Sequence, residues 1–98
     1  MSTRLPIEGE LTVFAVHAIK DRILAALAEG EDLEVDLADV CEVDGAGIQL
    51  LLAARREAGL RGVGFEVCTP SAVMADTLAL CDLTDVLGSA SKPGKAQA

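Results

Sequence analysis

Leu37-Ala38-Asp39-Val40-Cys41-Glu42-Val43-Asp44-Gly45-Ala46-Gly47, continued by Ile48-Gln49-Leu50-Leu51-Leu52, is the stretch that decides the fold of this 98-residue chain. It reads as a buried strand ending in a short turn, followed by a helix opened by the small residues Gly45, Ala46 and Gly47. A helix start of this kind leaves its first backbone N–H groups without intrahelical partners, and no bulky side chain shields them here. Asp44 is the expected N-cap, its carboxylate accepting from the N–H of Ala46 or Gly47. Beyond the turn, Ile48, Leu51, Leu52 and Ala58 form the inward stripe of the helix, with Arg55, Arg56 and Glu57 outward. The two arginines oppose the negative pole of the helix, and Gly59 is expected to end it at C′.

Upstream, Thr3 to Ile7 and Glu10 to Phe14 flank Glu8-Gly9, as a hairpin pair or as one strand bent at Gly9. From Ala15 to Ala28 the apolar period changes to that of a helix, Val16, Ile19, Ile23 and Leu27 sharing a face and Gly30 following the end. Leu33, Val35 and Leu37 then alternate with Glu34 and Asp36 as a strand with one covered face. Downstream, Gly64 to Cys68 reads as another strand. Thr69-Pro70 is expected to cap a helix running to about Leu80, with Val73, Leu78 and Cys81 inward, Asp76 outward and Met74 helping to close the core. Leu83, Val86 and Leu87 cap the sheet as a short strand or an irregular apolar segment. Residues 89–98 lack periodicity and are expected to form a disordered tail, leaving one domain over residues 3–88. The order β-β-α-β-α-β-α predicts a single α/β domain whose sheet is at least partly parallel, with right-handed crossovers.

Phe14 and Phe65 are the only aromatic residues, so the interior must be built from Leu, Val, Ile and Ala. The net charge is −8, and −10 over residues 1–88, because Lys92 and Lys95 lie in the tail. Such a surface repels phosphate backbones and anionic lipid, which argues against nucleic acid and direct membrane insertion and favours either plain solubility or a basic partner. Cys41, Cys68 and Cys81 are odd in number, lack metal-ligand spacing and sit beside apolar positions. They are expected as buried, reduced thiols in a cytoplasmic protein with no leader and no long apolar run.

Candidate chemistry is sparse. His17, the only histidine, lies one position from the apolar stripe of its helix and has no local catalytic partner. Neither HExxH nor CxxC is present, and no metal or cofactor is expected. Glu34 and Asp36 share one side of a strand, and Asp39, Glu42 and Asp44 cluster before the second helix, as solvated strand and turn positions also do. Gly45-Ala46-Gly47 lacks the lysine and hydroxyl of a phosphate-binding loop, and Leu50 occupies the third glycine position of a dinucleotide fingerprint. A tight helix start with a protein partner overhead fits better.

The chain resembles a STAS domain, the module of anti-sigma factor antagonists and of several bacterial regulatory and transport systems. The resemblance covers residues 3 to 88. It is carried by Val35-Asp36-Leu37, by Asp44, Gly45, Ala46 and Gly47, and by the apolar run Ile48 to Leu52, supported by Glu8-Gly9-Glu10-Leu11 and Ser71 to Leu80. It implies a mixed four- to five-stranded sheet with helices mainly on one face, and a non-enzymatic module that binds other proteins. In the antagonist branch the serine just before the turn's glycine is phosphorylated by a partner kinase; the matching position here is Ala46, which carries no hydroxyl. A branch working with a phospholipid-transport ATPase resembles Asp-Thr-Ala-Gly, its threonine falling at Gly45.

The sequence therefore leads to a regulatory protein-interaction module, antagonist-like or of the chemotaxis-signalling type, lacking the phosphoswitch serine. Asp44, Gly45, Ala46, Gly47 and Gln49 are the expected partner-binding residues. The expected partner is a kinase-like anti-sigma factor, a signalling protein or a transporter ATPase. An accessory subunit of a lipid-transport ATPase is the first alternative, a small nucleotide-binding protein the second. A homodimer through an uncovered strand edge or a helix face is also open.

Overall fold

Residues 2–87 are described by the computed structural model, and the expected tail at 89–98 lies outside them. Strand β1 (Ser2–Leu11) leads into helix α1 (Val16–Ala28), β2 (Asp32–Val43), α2 (Gly45–Leu60), β3 (Phe65–Cys68), α3 (Ala72–Leu80) and a last helical turn, α4 (Thr84–Leu87). The strands form one sheet in the order β1-β2-β3, and both pairings are parallel.

Among the described residues the sheet has three parallel strands, where a mixed sheet of four or five was expected. The two segments flanking Gly9 are one strand, which stays parallel to β2 by means of irregularities between Pro6 and Glu8 and between Gly9 and Glu10. A bulge absorbs an extra residue without reversing the chain, so no hairpin forms. At the other end, the apolar residues near Leu87 form α4 rather than a strand, with the Val86 and Leu87 N–H groups bonded back to Leu83 O.

Alternation along the strands separates two faces. Ile7, Leu33, Val35, Leu37 and Val67 are buried on one. They form a single apolar cluster with Ile19, Ile23 and Leu27 of α1, Ile48, Leu51, Ala54 and Ala58 of α2, Met74 and Leu78 of α3, and Leu87. The other face carries Arg4, Pro6, Glu34, Asp36 and Glu66, which remain exposed or half-buried. β1 lies at an edge of the sheet, where an unpaired strand invites pairing with another chain. Pro6 has no N–H to offer there, and its carbonyl already accepts from Arg22 Nη2 at 2.7 Å.

Two helix boundaries differ from the sequence reading. Gly59 lies inside α2, and Gly62 takes the left-handed conformation (φ +73°) past the end, while Val63 N donates to Ala58 O. Thr69 does not cap α3: its own backbone is left-handed (φ +46°), and its hydroxyl is engaged with Asp36 and Arg4. Ser71 is the cap, its Oγ accepting from Met74 N at 3.3 Å while its N–H donates to Leu37 O. Cys41 and Cys81 are exposed and Cys68 half-buried, all three free, which corrects the expectation of buried thiols. Position beside apolar residues does not bury a side chain whose strand or helix phase points outward.

Replacing the fully buried Leu37 by Ala is expected to lower stability by about 2–5 kcal/mol, through lost transfer energy and a cavity. Leu80→Ala, at a side chain that is 88% exposed, is expected to change it by less than about 0.5 kcal/mol. Urea unfolding followed by circular dichroism reads both.

Candidate functional site

The parallel strands β1 and β2 deliver the chain to one end of the sheet, where the loop after β1 meets the start of α2. Asp44 joins them. It is the extended residue between β2 and α2; its Oδ1 accepts from Gly47 N at 3.0 Å and its Oδ2 from Val13 N at 3.0 Å. Its N–H donates to Leu11 O, and its carbonyl accepts from Ile48 N. One side chain thus fills the expected capping role and also holds the β1–α1 loop. The Val13 N–H first, and then those of Gly47 and Ala46, stabilise the carboxylate and lower its pKa below the ordinary value.

Gly47 makes this junction possible. A Cβ built there would lie 2.0 Å from the carbonyl oxygen of Leu11, so only glycine lets the first turn of α2 rest against the end of β1. At Gly45 the surroundings are open: nothing lies within 4 Å of an added Cβ. Ala46 is half-buried and Gln49 exposed. The five residues singled out in the sequence all fall on the first turn and a half of α2 and its cap. Within that group, Asp44 and Gly47 are occupied with the fold, while Gly45, Ala46 and Gln49 leave surface to spare.

The sequence reading missed the neighbouring loop. Phe14, expected in a strand, stands 90% exposed, with Val13 at 54%. The register explains it: Leu11 pairs with Val43, the last residue of β2, so no neighbour remains for a strand continuing to Phe14. The chain turns instead, with Ala15 N and Val16 N both donating to Thr12 O. Thr12 is itself buried, its hydroxyl bonded to the Glu10 carboxylate. The one sequence signal was that an apolar strand pattern and the helical period overlap at Val13 to Val16.

Other candidate groups assemble differently. Glu34 and Asp36 do share a strand face, where Arg4 reaches both, at 3.4 and 3.1 Å. The Ala38 N–H first, with Arg4 and Thr69, depresses the Asp36 pKa, so this carboxylate is an ion-pair member. Asp39 and Glu42 are exposed, and His17 is exposed on α1. No group of three or more His, Cys, Asp or Glu residues suited to a metal ion occurs among the described residues. None of their helices is long and apolar enough to cross a membrane.

An α/β module with a helix start held by an aspartate and a glycine is the arrangement of a STAS domain. Residues 1–88 match the family described as "Mlab, STAS domain", and the chain belongs to the STAS family of regulatory protein-interaction modules. The fold is similar to that of a candidate anti-sigma factor antagonist from Thermotoga maritima, with a TM-score of 0.78, 19% identity, and coverage of 88% of this chain and 75% of that one. It is also similar to the anti-sigma factor antagonist SpoIIAA in its unphosphorylated form, with a TM-score of 0.64, 19% identity, and coverage of 98% and 81%. Likeness at this identity establishes a shared fold. No curated protein matches the chain in sequence.

Gly47→Ala is expected to lower stability by about 2 kcal/mol or more, because the clash is with backbone. Gly45→Ala is expected to be neutral or mildly stabilising, and chemical denaturation separates the two. The Asp44 pKa is lowered from an ordinary 3.8. Its contribution is therefore complete above that value and lost as pH falls through the lower folded pKa. The stability gap between the native chain and Asp44→Asn should be constant above about pH 5 and close below 3.8, read as urea midpoints against pH.

Proposed function

We propose that residues 3–88 act as a non-catalytic docking module, and that Asp44, Gly45, Ala46, Gly47 and Gln49 form its contact with a partner protein. The observation that carries this reading is the open approach to the start of α2, where nothing stands over Gly45 and only a methyl group projects at Ala46. Small side chains allow a partner's backbone to come close, and neighbouring apolar residues supply burial. The two antagonist-type folds support a partner of the anti-sigma factor class. With alanine in place of the serine used by the antagonist branch, binding at this turn is not switched by a phosphate on it.

A second reading has its own support. The family description names Mlab, and Asp44-Gly45-Ala46-Gly47 fits the Asp-x-Ala-Gly form of the lipid-transport branch apart from the missing threonine hydroxyl. On that reading the partner is the ATPase subunit of a transporter.

Capture of the tagged chain from its native cells, with and without ATP, followed by mass spectrometry, distinguishes a signalling kinase from a transporter ATPase. Ala46→Glu adds a phosphate-like charge and bulk at the second helical position, where the helix pole tolerates an acid. It is expected to weaken binding of the captured partner by about tenfold or more at unchanged melting temperature. Unchanged affinity in the folded variant removes the turn from the interface.

A further inference from the structure

Beside the proposed contact turn stands a second element, and we propose that Val13 and Phe14 form an apolar prong that seats in a partner-protein pocket rimmed by cationic side chains. The inference rests on the reading of the α2 start as a docking surface and names the chemistry of what docks there. Phe14 is one of two aromatic residues in the chain, yet folding leaves it 90% in water. Burying such a side chain is favourable, and this fold forgoes it.

The prong is held in place. Val13 N donates to Asp44 Oδ2 at 3.0 Å, Phe14 N to Thr12 Oγ1 at 3.3 Å, and Ala15 N and Val16 N to Thr12 O at 2.9 and 3.0 Å. Every backbone N–H from Val13 to Val16 is therefore bonded, and Thr12, which accepts three of those bonds, is buried. An exposed aromatic on a pinned backbone needs little ordering to bind, which is the character of an interface anchor. The bond to Asp44 makes the prong continuous with the start of α2.

Charge identifies the partner. In the β1–β2 register Glu8 lies beside Asp39 and Glu10 beside Glu42, like charges on neighbouring strands leading toward the prong, and Asp44 stands at its base. Such pairs oppose each other in the free protein. No Lys or Arg occurs between Leu5 and Ile19 or between Leu37 and Ala54. Among the described residues the ion pairs join Arg4 to Glu34 and Asp36 and Arg61 to Glu57, leaving these five carboxylates outside them. A partner with Lys or Arg around an apolar socket relieves the repulsion and covers the ring. A second copy of this chain brings the same carboxylates against it and is disfavoured as the occupant.

The photo-crosslinking residue p-benzoylphenylalanine, placed singly at positions 14, 49 and 80 of the full chain in its native cells, tests this. The expected result is one and the same adduct from positions 14 and 49, and none of it from the equally exposed position 80. The protein so trapped, once purified, should bind the native chain more weakly as salt rises from about 50 to 500 mM. Phe14→Ser should lower its affinity roughly tenfold or more at unchanged melting temperature. The pair Glu10→Gln and Glu42→Gln should slow association about threefold or more. An adduct from 49 alone overturns the prong and leaves the docking turn standing; none from either position overturns both. Cross-linking of position 14 to a second copy, or binding indifferent to salt, overturns the cationic partner.

Discussion

The start of α2 rests directly on the end of β1, and the rest of the structure depends on that approach. Where the Leu11 carbonyl faces Gly47 there is no room for a side chain, and Asp44 bonds to both sides of the contact. From this junction β2 can feed α2 without a loop, α2 lies over the apolar face of the sheet, and the β1–α1 loop is held beside the first turn of the helix. Glycine costs helix propensity there, roughly a kcal/mol relative to alanine, and the close packing it permits offsets that cost. Asp44 recovers an orphan helix amide and ties in the loop with the same carboxylate.

Parallel pairing then determines where binding chemistry can gather. Each strand ends at the same edge of the sheet, and the helices that follow β1 and β2 begin there. The start of α2, the loop carrying Phe14 and the carboxylates of the strand ends therefore share one region. The polar face of the sheet holds the other concentration of charge, but Arg4 gathers Glu34, Asp36 and Thr69 into a bonded group that fastens the β3–α3 turn. One group of carboxylates is partnered within the fold, and the other is left outside the ion pairs at the proposed docking end.

Membership of the STAS family brings a contrast with the switch that the antagonist branch uses at this turn. The cap and the packing glycine are both in place here, as Asp44 and Gly47, so the architecture of the turn is intact without the hydroxyl. Ala46 offers no hydroxyl at that position. The surface around it keeps small side chains and an open approach at Gly45.

The sequence by itself determined the α/β class, the apolar stripes of α1 and α2, the strand at Leu33–Leu37 and the Asp44 cap. Each of these rests on local periodicity or on a capping bond spanning three residues. It also marked Asp44 to Gly47 as the turn of interest, because small residues at a helix start are visible without coordinates. Only the tertiary structure decided that Glu8-Gly9-Glu10 continues a strand, since a bulge and a hairpin are distinguished by what pairs alongside. It likewise decided that Ser71, and not Thr69, caps α3, because the Thr69 hydroxyl is drawn to Arg4 and Asp36 from distant strands. Phe14 became a surface residue for the same kind of reason: β2 ends opposite Leu11, and the length of a neighbouring strand is not written in the residues that lose it.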